Sequence, residues 1–110
     1  MQIGQLSQHF FISGQIEPEH MPKLAEHGFK TIICNRPDGE DAGQPTADEI
    51  ETAAAEHGIG FVHIPIVPPG VTMQNIKDFK DKYAELDTPV LMYCRTGTRC
   101  AMLFELAGVD

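Results

Sequence analysis

An α/β fold, a single domain built on a mostly parallel four- to five-stranded sheet flanked by helices, is predicted by three features of the 110-residue chain. Short apolar runs of strand length alternate with segments whose apolar residues recur at helical spacing, which is the signature of βα units. Turn and cap residues punctuate the boundaries between them. The last apolar run opens into a tight loop of one cysteine, two arginines, two threonines and a glycine, and a final helix follows. Ligands of such sheets sit beyond the C-terminal ends of the strands, so this loop, between the last strand and the last helix, is the expected seat of chemistry.

Phe10-Phe11-Ile12-Ser13-Gly14 reads as a short strand ending at a glycine. Glu17-Pro18-Glu19-His20 suits the first turn of a helix, with Met21, Leu24 and Ala25 on its apolar side and Gly28 as a stop. Thr31-Ile32-Ile33-Cys34 is continuously apolar, as expected of a strand buried on both faces. Asn35 to Asp41 is a turn-rich loop. Thr46-Ala47-Asp48-Glu49 forms a capping box for a helix carrying Ile50, Ala53, Ala54 and Ala55 and stopping near Gly58. Phe61 to Ile66 is the third strand, broken by Val67-Pro68-Pro69-Gly70. Thr72 caps a helix with Ile76, Phe79 and Tyr83, and Val90 to Tyr93 is the fourth strand. The run Ala101 to Ala107 is the last helix.

One domain, residues 1–110, with one modest core fits this length and a composition of 42% hydrophobic and 22% charged residues. A net charge of −8 argues against nucleic acid and anionic membrane surfaces as partners. No apolar run reaches the roughly 18 residues of a membrane span, and Met1 to Leu6 lacks the features of a secretory signal. Three cysteines without a Cys-x2-Cys pair fit a reducing cytoplasm, the expected location. No cofactor is called for. The acids Asp38, Glu40 and Asp41 read as a solvated turn, and no metal is expected.

A strand–loop–helix with inward backbone N–H groups cradles anions. Cys94 at its mouth is expected as a thiolate, stabilised by the helix dipole and by Arg95 and Arg99. Gly97 accepts the unusual φ of a tight loop. Arg99 can fork onto anionic oxygens, and Thr98 can donate its hydroxyl to the Cys94 sulfur. Arg95 either touches ligand or turns outward to a salt bridge. With Thr96, these residues form the candidate substrate-binding set around the candidate catalytic pair Cys94 and Arg99. Arg36 and Asp38 are expected to stand behind them, with a buried Arg36–carboxylate pair bracing the loop. Cys100 reads chiefly as a core residue and alternatively as a thiol that resolves oxidised Cys94. Cys34 reads likewise, as core or as a back-door resolving thiol.

Cys94-Arg95-Thr96-Gly97-Thr98-Arg99 resembles, in spacing, the Cys-Arg-x-Gly-x-Arg loop of rhodanese sulfurtransferases. The wider chain is similar to the DUF442 family, the phosphatase-like domains of beta-lactamase hydrolase-like proteins. The stretches that carry this are Phe11 to Gln15, Gly28 to Thr31, Asn35 to Glu40 with Gly43-Gln44-Pro45, Val62 to Pro65, and Pro89 through Arg99. Asn35-Arg36-Pro37-Asp38-Gly39-Glu40 is the most specific of them. The resemblance implies a cysteine-phosphatase-like fold, with Cys94 as nucleophile and Arg99 as oxyanion binder, and a branch of the family is named for sulfur transfer. It also implies a persulfide dioxygenase domain as a neighbour in some family members; no such domain is expected in this chain. The last helix is short for the family, which favours a homo-oligomer or a trimmed domain.

Two departures from cysteine phosphatases shape the functional expectation. Those enzymes place five residues between Cys and Arg; here there are four. Dual-specificity phosphatases also carry an acid just after the strand equivalent to Val62–Ile66, where this chain has Val67-Pro68-Pro69-Gly70. A positioned acid is worth roughly 10²–10⁴-fold when an alkoxide must leave. Sulfite and thiolates leave without one. His63 could stand in as the acid, but it reads better as a packed or surface residue. The leading expectation is therefore sulfur transfer through a Cys94 persulfide, with thiosulfate or a persulfide as the small anionic substrate and a thiol as acceptor. The alternatives are hydrolysis of a phosphate ester through phosphocysteine, and a non-catalytic module that binds an anion or docks on a partner.

Overall fold

Ile3–Gln5 (β1), Phe10–Ser13 (β2), Thr31–Cys34 (β3), Gly60–His63 (β4) and Val90–Tyr93 (β5) form one sheet in the order β1-β2-β5-β3-β4 in the computed structural model, which describes residues 1–109. β2, β5, β3 and β4 are parallel, and β1 runs antiparallel to β2 at the edge. The helices are Met21–Glu26 (α1), Ala47–Glu56 (α2), Met73–Tyr83 (α3) and Thr98–Ala107 (α4), and a 3-10 turn, Pro18–His20, leads into α1. The predicted capping box at Thr46 is present: its side chain accepts from the Glu49 N–H, and Glu49 reaches back to the Thr46 N–H at 2.9 Å. Thr72 caps α3 in the same way with Asn75.

β3 and β5 are buried along their whole length, as their unbroken apolar sequences require. Alternation along β5 divides the core. Leu91 and Tyr93 pack on one face with Leu24, Ile32, Ile50 and Ala54; Val90, Met92 and Cys94 pack on the other with Ile33, Phe79 and Leu103. Each fully buried Leu, Ile or Met on these faces contributes about 1.5–3 kcal/mol relative to exposure. On the second face Phe10 stacks on Tyr83 at 5.4 Å and meets Phe104 at 5.2 Å, which joins α3 and α4 to the sheet. Among the described residues, no helix is long and apolar enough to cross a membrane.

Three boundaries differ from the sequence expectation. β1 is an additional strand, short and exposed, whose Ile-Gly-Gln has no strand periodicity to read. β4 stops at His63 rather than Ile66, although Ile64 and Ile66 still donate N–H groups to the Cys34 and Asn35 carbonyls at 2.9 Å. α4 begins at Thr98, three residues before the apolar run, because Gly97 turns the chain with φ of 93°. Arg99 and Cys100 therefore belong to the first helical turn.

Candidate active site

The loop from Cys94 to Arg99 is seated against the end of β2. The Cys94 N–H donates to the Ser13 carbonyl at 3.4 Å, and the Gln15 N–H donates to the Arg95 carbonyl at 3.3 Å. This approach needs a glycine at position 14, since a Cβ there would lie 2.9 Å from the Arg95 oxygen. Gly97 adopts the left-handed conformation anticipated for it and turns its N–H onto the Cys94 sulfur at 3.0 Å. Cys94 is 1% exposed, while Arg95, Thr96 and Thr98 stand out at the surface.

The Cys94 thiol is lowered to about 5. The largest cause is a hydrogen bond from the Cys100 thiol; burial opposes it, and the backbone N–H groups of Cys100, Thr96 and Arg99 add to it. At neutral pH the sulfur is a thiolate. Cys100 is pushed in the opposite direction, chiefly by burial and also by its hydrogen bond to Cys94, so the shared proton stays on Cys100. The donor to the sulfur is thus Cys100 and not Thr98, whose Oγ1 instead accepts from Thr96 Oγ1 at 3.1 Å. Helical placement of residue 100 carries its side chain back beneath the loop, while Thr98 faces solvent.

A charge network stands beside this loop. Arg99 forks onto Glu40, Nη1 to Oε2 and Nη2 to Oε1, both at 2.8 Å, and Nη1 also donates to the Ile66 carbonyl at 2.8 Å. Those bonds occupy three of the five guanidinium N–H groups and leave Nε–H and one Nη2 proton for an anion. Arg36, 3% exposed, donates to Glu40 at 2.9 Å, Gln15 at 2.9 Å and Asp41 at 2.6 Å. Two arginines hold Glu40 down to about 2, the Arg99 hydrogen bond being the largest cause. Gln44 ties the loop back on itself, accepting from the Glu40 and Asp41 N–H groups and donating to the Pro37 carbonyl.

The expected Arg36–carboxylate pair is present, with Glu40 and Asp41 as its acids. Asp38 does different work: it accepts from the Ala47 N–H at 2.8 Å and anchors the start of α2. Arg95 is turned outward, 3.4 Å from Asp41 with its side chain 64% exposed. Cys34 is buried with Tyr93 in the cluster on the sheet face opposite Cys94, and its thiol bonds the Arg36 carbonyl at 3.3 Å. His63 bonds the same carbonyl through Nε2 at 3.1 Å and serves as a brace rather than a group facing the loop. Asn35 joins three strand ends, donating to the Tyr93 and Ile64 carbonyls and accepting from the Ile66 N–H. Glu40 and Gln15 were missed as site residues. The readable signal for Glu40 was its place four residues after Arg36, since an acid and an arginine so spaced can pair; nothing local points from Gln15 to Arg36.

A parallel sheet whose central strand delivers a thiolate into an N–H-lined loop, with an arginine at the helix start, defines the cysteine-phosphatase-like class. The chain matches the family model described as beta-lactamase hydrolase-like protein, phosphatase-like domain, over residues 2–109, and it belongs to that family. A beta-lactamase hydrolase-like protein of Agrobacterium fabrum is 37% identical over 106 residues, covering 96% of this chain and 25% of the relative. The chain thus spans about a quarter of the length of the curated relatives it matches. A candidate phosphatase of Neisseria meningitidis has a similar structure, with a TM-score of 0.88 and 36% identity over 100% of this chain and 81% of that one. A DUF442 structure from Shewanella putrefaciens, 17% identical with a TM-score of 0.81, covers 96% of this chain and 66% of its own and shares the fold.

Proposed function

We propose that this domain is a cysteine-dependent phosphohydrolase acting on a small anionic phosphate compound. Cys94 Sγ attacks phosphorus, the leaving group departs, and water then cleaves the phosphocysteine. The observation that carries this reading is the buried Cys94 thiol lowered to about 5 inside a ring of backbone N–H groups. The same N–H groups and the two remaining donors of Arg99 would receive the charge that develops on the phosphoryl oxygens. Family membership and the Neisseria phosphatase relative support the choice of phosphate.

One observation favours a second reading, sulfur transfer through a Cys94 persulfide. Glu40, the carboxylate on Arg99, is held near 2 and carries no proton at neutral pH. Expulsion of sulfite or a thiolate needs no proton donor, whereas expulsion of an alkoxide does. For the phosphatase reading this restricts substrates to those with good leaving groups, such as aryl phosphates.

A paired assay on the wild type and Cys94→Ser separates the readings. One arm follows hydrolysis of an aryl phosphate; the other follows thiocyanate formation from thiosulfate and cyanide. Hydrolysis that disappears in the variant is the expected result. Sulfur transfer without hydrolysis would replace the first reading by the second, and activity undiminished in Cys94→Ser would overturn both.

A further inference from the structure

An open cavity borders the loop on its β1 side. It spans about 720 Å³, within the roughly 300–1,000 Å³ typical of small-molecule sites. Gly4 of β1 and Ile12 of β2 stand opposite each other in register and form its floor. Position 4 carries no side chain, so Ile12 is left half-buried rather than covered. A Cβ at position 4 would lie 3.5 Å from Ile12 Cγ1, and one at position 97 would lie 3.6 Å from Ile12 Cδ1. Ile12 thus reaches from β1 to the loop at Gly97, whose N–H donates to the Cys94 sulfur at 3.0 Å. Thr96 forms the wall that the cavity shares with the loop.

Among the described residues, no charged side chain lines this cavity. The other flank of the loop is different: there Arg36 binds Glu40 and Asp41, and Arg95 is turned onto Asp41. We propose that the cavity between β1 and the loop seats the leaving group of the substrate, and that this group is an uncharged ring. The inference rests on the phosphohydrolase reading, because its ligand is the alcohol which that reaction releases.

The direction follows from the reaction. The sulfur attacks phosphorus in line with the departing oxygen, so that oxygen lies on the far side of the phosphoryl group from Cys94. The rest of the leaving group then spreads over the rim of the loop. Toward the β3 loop it meets carboxylates already held by arginines. Toward β1 it meets the Ile12 side chain, the exposed backbone of Gly4 and Thr96. A neutral ring withdraws apolar surface from water there. A second phosphate or a carboxylate finds no cationic side chain in the cavity, and its desolvation goes uncompensated. The site therefore selects monoesters of neutral phenols over substrates with several anionic groups.

Phosphonates resemble phosphate esters but have no oxygen to expel, and their protection of Cys94 from iodoacetamide tests the assignment. Methylphosphonate reports on the anion loop alone, benzylphosphonate adds a neutral ring, and 4-carboxybenzylphosphonate puts a charge on that ring. In the wild type, benzylphosphonate is expected to protect at about one tenth of the concentration that methylphosphonate needs. The added carboxylate is expected to remove that gain. In Gly4→Phe, whose Cβ meets only ordinary contacts and whose ring would fill the cavity, the advantage of benzylphosphonate should disappear. Equal protection by methyl- and benzylphosphonate in the wild type, a carboxylate that costs nothing, or an advantage that survives in Gly4→Phe would overturn the proposal. The wild-type comparison decides it even if the phenylalanine variant does not fold. Hydrolysis of an aryl phosphate reports separately on the reading beneath it. Hydrolysis with equal protection would remove the cavity assignment and keep the phosphatase. Ring-dependent protection without hydrolysis would remove the phosphatase and keep the cavity as the seat of an uncharged ring. No protection by any of the three would overturn both.

Discussion

The loops after β3 and β5 begin side by side, with Cys34 and Tyr93 in register on adjacent strands, yet they are built from different materials. The β5 loop is a backbone device. Glycines at 14 and 97 let it close, and its N–H groups converge on one sulfur. The β3 loop is a side-chain device, in which Arg36, Glu40, Asp41 and Gln44 bind one another. They meet chiefly at Arg99, which rises from the first loop and is held by Glu40 of the second, with the exposed Arg95–Asp41 contact beside it. The comparison teaches a division of labour: the Cys100 thiol and the loop's N–H groups set the charge on the Cys94 sulfur, and ion pairs aim the arginine.

The largest expected effect comes from cutting that junction. Glu40→Gln removes the charge shared by Arg36 and Arg99 and is expected to cost about 3 kcal/mol of stability, measured by urea unfolding, since buried Arg36 is left with the half-exposed Asp41 as its one carboxylate and Gln15 as a neutral acceptor. Turnover should fall more than the thiolate content, which separates the two loops' contributions. Acid unfolding sharpens the same point. Glu40 drops from an ordinary 4.5 to about 2 in the folded protein, so its stabilisation is complete above about 4.5 and is lost as pH falls from there toward about 2. In Glu40→Gln that acid-dependent part should vanish.

Next in size is Cys100→Ala, which removes the principal donor to the sulfur. The midpoint of Cys94 alkylation, expected near pH 5 in the wild type, should rise by about one to two units, whereas Cys100→Ser should largely preserve it. A midpoint unchanged in the alanine variant would mean that the N–H groups alone hold the charge.

Gly14→Ala tests the seating of the backbone loop. Its Cβ would meet the Arg95 carbonyl at 2.9 Å, and the loop must shift. A loss of about 1–3 kcal/mol is expected in thermal or urea unfolding, with slower Cys94 alkylation. The smallest effect should be that of Arg95→Ala. Its 3.4 Å contact with Asp41 is exposed, and such pairs contribute about 0–1 kcal/mol. A large loss of turnover from Arg95→Ala would place that side chain on the substrate after all.

Much of this molecule was determined locally. Unbroken apolar runs gave β3 and β5 no choice but burial, and Thr46 with Glu49 and Thr72 with Asn75 started their helices through contacts within one turn. The order of a strand, Cys94, Gly97 and a helix likewise marked the anion loop, because the conformational freedom of glycine and the direction of a helix dipole are properties of short segments. Pairings across the chain were decided only by the tertiary structure. Arg99 and Glu40 are far apart in sequence, as are Gln15 and Arg36, and no local pattern says which acid an arginine will meet. The edge strand β1 exists because β2 offers it a partner. Cys34 and Cys94 end adjacent strands on opposite faces, while Cys100 is turned beneath Cys94 by the helix. The pleat and the start of α4 decide which sulfurs meet, and both depend on where the sheet places its strands.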